Sequence, residues 1–250
     1  MANSHDNNQF KNRFIEILES FDRYKDKREH FRNFCAMAYC SLAKTTAMNK
    51  EEADNLEERY MTVVHSYKDK DEIRRMPELM SLTLLALQQG GTDFLGEIAT
   101  QLDILDTANG QFFTPYHISL MMSKILLPDV AKTIEQDGFF SASDPAAGAG
   151  CMLLCIADQV EEQGFDLSET LSVEAIELNR TTYQMLFVQL ALRGIPARVI
   201  NGNALTREVF ETAYTPIARH FINKHDCLFK ENSEPKPIQS NSPQLSLFEF

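Results

Sequence analysis

Asp144-Pro145-Ala146-Ala147-Gly148-Ala149-Gly150 is a run of small residues behind one acid, with glycines at two of its last three positions. It stands between a short, partly apolar run, Gly138 to Ser143, and a helical run from Cys151 to about Gln163. A loop of small residues in that place is how a strand-to-helix turn lets a ligand touch backbone. Gly148 and Gly150 remove side chains where a ligand must approach, and both permit positive φ. Taken alone, one glycine-rich loop is a weak signal and reads as well as a plain tight turn.

Toward the C-terminus, Leu171-Ser172-Val173-Glu174-Ala175-Ile176-Glu177 alternates with period two and predicts a strand. Arg180 to Arg193 is helical and stops at Gly194-Ile195-Pro196, and Ala197 to Asn201 predicts a third short strand. Strands and helices alternating with such short links point to a parallel sheet with crossover helices. Thr206 to Phe221 is expected to be one more helix, interrupted or ended near Thr215-Pro216. Toward the N-terminus, Phe10 to about Gly90 is rich in helix formers and poor in Gly and Pro. Phe14, Ile15, Ile17, Leu18 and Phe21 form one apolar stripe, and Phe31, Phe34, Met37, Ala38 and Leu42 another. Asn49 ahead of Lys50-Glu51-Glu52 has the form of an N-cap, and Gly90-Gly91 ends the helix carrying Leu79, Leu82, Leu84, Leu85 and Leu87. The class is α/β, with a helical region over residues 1–92, a sheet domain over 93–229 and a polar tail over 230–250.

Composition narrows the function. No apolar run is long enough for a transmembrane helix, and Met1 to Phe10 lacks the apolar core of a signal peptide, so the cytoplasm is expected. Five Cys cannot complete a disulfide framework. Cys35/Cys40 and Cys151/Cys155 lie in helical stretches with no second ligand pair for zinc, which favours buried reduced thiols; His220, His225 and Cys227 match no metal spacing either. No metal site is expected. A net charge of −12, from 36 acids against 24 bases, disfavours a surface that grips phosphate everywhere. The basic residues from Lys11 to Arg32 are the one candidate patch, but they interleave with Glu16, Glu19, Asp22, Asp26 and Glu29 and read as a solvated helix face.

Residues 93 to 205, a little under half of the chain, resemble the modification subunit of type I restriction–modification systems and the adenine-N6 DNA methyltransferases related to it. Asp93-Phe94-Leu95-Gly96-Glu97 resembles the helix entering the catalytic domain, and Gly110-Gln111-Phe112-Phe113-Thr114-Pro115 resembles motif X, which helps hold the methionine end of S-adenosylmethionine. Asp144 to Gly150 resembles motif I. Glu177-Leu178-Asn179 with Tyr183 resembles motif II, whose acid takes the ribose hydroxyls, and Gly202-Asn203-Ala204-Leu205 resembles motif III, whose Asp or Asn reads the adenine edge. An acid suits a vicinal diol because its two oxygens can each accept a hydroxyl proton. The resemblance implies a shortened Rossmann-like S-adenosylmethionine-dependent methyltransferase domain. Its cofactor contacts would come from Phe112, Phe113, Thr114, Asp144, Pro145, Ala146, Gly148, Gly150, Glu177 and Asn203.

The family's catalytic Asn/Asp/Ser-Pro-Pro-aromatic element, which supplies the acceptors and stacking ring for a flipped base, occurs nowhere in these residues, so no catalytic residue is assigned. The family's sheet also runs on for several strands past motif III, where only a helix and a polar tail are expected here. No target-recognition domain is expected within these residues either. Lys230 to Pro243 reads as a disordered tether. After it, Gln244-Leu245-Ser246-Leu247-Phe248 resembles the peptide by which bacterial replication and repair proteins dock on the DNA sliding clamp, with a polar anchor and two apolar plugs. The leading expectation is an S-adenosylmethionine-binding protein of the adenine-N6 type that does not transfer methyl groups alone. It would reach DNA through partners, namely the clamp and restriction–modification subunits. One alternative is a split methyltransferase completed by a second chain. The other is a cofactor-free interaction module that mimics a modification subunit to interfere with restriction.

Overall fold

Capping residues set where the N-terminal helices begin. In the computed structural model, which describes residues 4–21, 24–104, 113–127 and 129–230, the chain starts with α1 (Ser4–Glu19), α2 (Lys27–Ala43), α3 (Lys50–His65), α4 (Lys70–Arg74), α5 (Met76–Gln89) and α6 (Phe94–Gln101). Asp26, Asn49, Asp69 and Asp93 each accept a backbone N–H from the first turn of α2, α3, α4 and α6. Each such cap contributes about 1 kcal/mol. Gly90, at φ +68°, closes α5 in a conformation that side chains rarely adopt.

The two predicted apolar stripes meet. Phe14 of α1 meets Phe31, Phe34 and Phe94 edge-on, with ring centroids 6.2, 5.2 and 5.8 Å away. One hydrophobic core continues from these rings through Tyr183, Phe187, Val173 and Val199 to Ala213. Helix α11 (Arg180–Leu192) makes that continuity, packing on α2 and α5 as well as on the sheet.

After α7 (Tyr116–Leu126) and α8 (Val130–Asp137) come β1 (Phe140–Asp144), α9 (Cys151–Glu162), α10 (Leu167–Thr170), β2 (Leu171–Glu177), α11, β3 (Ala197–Asn203), β4 (Glu208–Tyr214) and α12 (Ala218–His225). The sheet runs β1-β2-β3-β4, with β1, β2 and β3 parallel and β4 antiparallel to β3. The fold is the Rossmann-like α/β class expected. Among the described residues β1 pairs only with β2 and forms one edge of the sheet.

One expected element is wrong. Residues 206–221 are not a single helix: Glu208–Tyr214 is a strand, and a short helix starts only at Ala218. Val209, Phe210, Thr212 and Tyr214 are β formers, and β3 offers them a ladder. Arg207, at φ +61°, turns the chain back. Gly202 lets the two strands close, since a Cβ there would lie 2.4 Å from the Glu208 carbonyl oxygen. The sheet therefore continues one strand past Asn203, where a helix alone was expected.

No helix of the described residues is long and apolar enough to cross a membrane. Lys11, Arg13, Lys25, Lys27 and Arg28 pair with Glu97, Glu78, Glu29, Glu19 and Asp103, the arrangement of a solvated, self-neutralised face. All five thiols are free, and four of them are buried. His225 stacks beside Phe139 and Phe221 and bonds the Glu169 carbonyl, which places it in a small satellite core.

Candidate cofactor site

Asp144, Glu177 and Asn203 are the last residues of β1, β2 and β3, so three polar side chains meet at the carboxyl ends of three neighbouring parallel strands. In open α/β sheets that is where ligands bind. The loop after β1 is pinned from several sides. Asp144 Oδ1 accepts the Ala146 N–H at 3.0 Å, the Ala147 N–H bonds the Ile176 carbonyl of β2 at 3.0 Å, and Gly150 N–H returns to the Ala147 carbonyl at 2.9 Å. Gly148 and Gly150 both have positive φ, +57° and +101°. A Cβ at Gly150 would meet Leu186 at 2.8 Å, and one at Gly148 would touch the Phe113 ring at 3.5 Å.

Glu177 joins this loop to the end of β2. Its Oε2 accepts the Gly148 N–H at 3.1 Å and its Oε1 the Asn179 N–H at 2.7 Å. The four lone pairs of the two oxygens outnumber these backbone donors, so the carboxylate keeps acceptor capacity. Burial pushes the carboxyl above its ordinary range, and the nearby Asp144 charge adds to that; the N–H groups of Asn179, Gly148 and Leu178 pull it back. Asn179 in turn caps α11, accepting from Thr181 and Thr182. Asn203 Oδ1 accepts from Leu205 and Thr206 at 3.0 and 3.2 Å, which leaves its NH2 as the group that can donate outward.

The structure brings Phe113, Asp144, Gly148 and Glu177 together directly, with Asn203 two residues beyond Asn201, the strand partner of Glu177. Thr114, Pro145 and Ala146 are exposed, and Pro115 starts α7. Phe112 and the peptide Gln244 to Phe248 lie outside the described residues.

Two buried amides that the sequence reading passed over support the site. Gln189, fully buried in α11, donates to Asp93 Oδ1 at 2.7 Å and to the Ala149 carbonyl at 2.8 Å, and accepts the Leu95 N–H at 3.0 Å. It thereby ties the start of α6 to the β1 loop. Burial raises the Asp93 carboxyl to about 6, against bonds from Gln189 and Gly96 that lower it. Asn201 holds the end of β2. A Gln inside the apolar run Met185–Leu192, and an Asn in a central strand, were the available signals.

The model of the N-6 DNA methylase family matches residues 94–232, more than half of the chain. The chain belongs to the N-6 DNA methylase family. Its cofactor is accordingly S-adenosylmethionine, and the strand-end site fits that molecule: a carboxylate with spare acceptor capacity suits a ribose diol, and the missing Cβ at Gly148 admits close approach. No curated protein sequence matches the chain. A crystal structure from Listeria monocytogenes, assigned to the class I S-adenosylmethionine-dependent methyltransferases, is similar at 14% identity and a TM-score of 0.33. The match covers 79% of this N-6 methylase-family chain and 55% of that one, so the chain spans about half the length of that methyltransferase. Among the described residues no three His, Cys, Asp or Glu side chains group as metal ligands.

Proposed function

We propose that this chain binds S-adenosylmethionine at the ends of β1, β2 and β3 and serves adenine-N6 DNA methylation together with a partner rather than alone. The observation that carries the reading is the Glu177 carboxylate, which grips the Gly148 and Asn179 N–H groups and still has acceptor capacity to offer. In this reading the ribose hydroxyls donate to Glu177, the Asn203 NH2 donates to the adenine edge, and Phe113 walls the pocket beside Gly148. Asp144 and Glu177 together place negative charge beside a cationic cofactor, whose sulfonium carries the methyl group that the family transfers. Phe112, Thr114, Pro145, Ala146 and Gly150 complete the lining or the loop that forms it.

The base-stacking Pro-Pro-aromatic element is absent from these 250 residues, which supports methyl transfer only with further polypeptide. A split enzyme has a specific observation in its favour. A ligand crevice in an open α/β sheet forms where neighbouring strands lead their connections to opposite sides, yet β1, which carries the cofactor loop, is an edge strand among the described residues. A second strand alongside β1 would supply the other wall. The Gln244–Phe248 peptide would tether the assembly to the sliding clamp in the cytoplasm, with DNA reached through that clamp and restriction–modification subunits.

Calorimetric titration with S-adenosylmethionine, with Asp144→Ala as the control, tests the reading. Saturable binding that the variant weakens supports a working cofactor site. No heat at millimolar ligand would remove the cofactor and leave a methyltransferase-shaped interaction module.

A further inference from the structure

We infer that Asn201 is a positioning residue for the cofactor's ribose: it fixes Glu177 by closing the end of β2 from the neighbouring strand. This rests on the cofactor reading above. Strand β2 ends at Glu177, and from there the chain must turn into α11 within two residues. β3 runs two residues past the partner of Glu177, and a strand that stops beside a continuing neighbour leaves its last carbonyls without ladder partners, which other donors then satisfy. Asn201, 3% exposed, supplies the missing donors from its side chain. Its Nδ2 donates to the Glu177 carbonyl and to the Leu178 carbonyl, both at 2.9 Å.

Both hydrogens of the amide are thus spent on the two peptide units between Glu177 and its side chain's anchor, the Asn179 N–H. The side-chain oxygen accepts from Arg180 at 3.5 Å, and Arg180 continues to Glu211 of β4 at 2.5 Å. Glu211 is held in turn by Arg59 of α3 at 2.9 Å and by the Tyr39 hydroxyl of α2 at 2.6 Å. The β3–β4 register shifts between Asn201 and Gly202, so the ladder bends at the residue that holds the acid. Glu177 therefore sits on a turn clamped from β3 by Asn201 and braced through Arg180 to the N-terminal helices.

Asp at position 201 keeps the shape and removes both donors, setting carboxylate oxygens against two carbonyls. The experiment compares dissociation constants for S-adenosylhomocysteine and its 2′-deoxy counterpart in the wild-type chain, Asn201→Asp and Asn201→Ala, by calorimetry. Thermal melts with and without ligand check folding. The wild type is expected to prefer the ribose form by about tenfold, the order of one hydrogen bond to a charged acceptor. Both variants should bring that ratio toward one, whereas a merely structural role would weaken the two ligands equally and leave the ratio intact. Arg180→Met, on an exposed side chain, is the second variant and should lower the ratio about threefold even if the Asn201 variants do not fold. A ratio unchanged in the folded variants overturns the inference while leaving the cofactor site standing. Absence of binding by the wild type overturns both.

Discussion

Glu177→Gln separates the charge of the strand-end acid from its shape. In the wild type the two oxygens accept from Gly148 and Asn179 at 3.1 and 2.7 Å, and a bound diol would add one donor to each. The amide keeps one acceptor oxygen and turns an NH2 toward a backbone N–H, so one anchor and one diol bond become donor against donor. Hydrogen bonds to a charged acceptor contribute about 1.5–3 kcal/mol each, against about 1 kcal/mol for a neutral one. Losing one and neutralising the other weakens S-adenosylmethionine binding by about 2–5 kcal/mol, at least roughly 30-fold in Kd. Acid should act in the same direction. Burial raises this carboxyl above its ordinary value, and only the ionised form accepts from both sides. Affinity is then full above that raised value and falls as pH drops through it, while Glu177→Gln responds flatly over the same window. Calorimetry from pH 7 downward, with thermal melts to confirm folding, reads both effects. A Glu177→Gln protein that binds within threefold of wild type at pH 7 would refute the assignment of the acid to the cofactor.

Gly150→Ala puts a Cβ at φ +101° and within 2.8 Å of Leu186, and should lower stability in urea melts by about 1–3 kcal/mol; an unchanged midpoint would refute the claimed loop strain. Asp93 bears on stability against pH. Its folded-state value of about 6 exceeds the ordinary 3.8, so the folded chain keeps a proton that the unfolded chain has lost, and stability falls as pH rises between them. That difference amounts to about 3 kcal/mol by pH 7. Asp93→Asn retains an acceptor for Gly96 and should flatten this fall, and denaturant melts at pH 4 and 7 with parallel slopes for both proteins would count against it. For the tail, Leu247→Ala with Phe248→Ala should abolish retention on an immobilised bacterial sliding clamp; equal retention of wild type and variant would discard the docking peptide.

The sequence was legible where one short stretch answers to one local rule. Asn49 and Gly90 mark helix ends because a cap or a positive φ is settled within a few residues, and the β1 loop announces itself through Gly148 and Gly150. The alternation in Leu171–Glu177 matches β2 residue for residue. Residues 206–221 failed because Glu208–Tyr214 carries a pattern that serves helix or strand, and the ladder on β3 makes the choice. Propensity cannot see that neighbour.

Part of the site escaped for the same reason. Asp144 stands in the glycine-rich loop and Glu177 ends a predicted strand, whereas Asn203 was reached through the resemblance to motif III. Gln189 and Asn201 carry a polar amide in an apolar run or at a predicted strand end, but what each one holds is not local, since their partners include residues 96 and 24 positions away. Yet these two amides spend their donors on the backbone that carries the site, Gln189 on the Ala149 carbonyl and Asn201 on the Glu177 and Leu178 carbonyls. A buried amide survives in an apolar layer only when its hydrogen bonds are met, and each of these meets them with main chain of the cofactor loop or the strand end beside it. The helices before Phe94 enter the same arrangement through Tyr39 and Arg59, which hold Glu211 and, through Arg180, the turn behind Glu177. Removing the Glu211 carboxylate with Glu211→Gln should therefore loosen the ribose end of the site from a residue that does not line it. A fall in the ribose-to-deoxyribose preference, smaller than that of Asn201→Asp, is the expected result, and an unchanged preference would detach the helical region from the site.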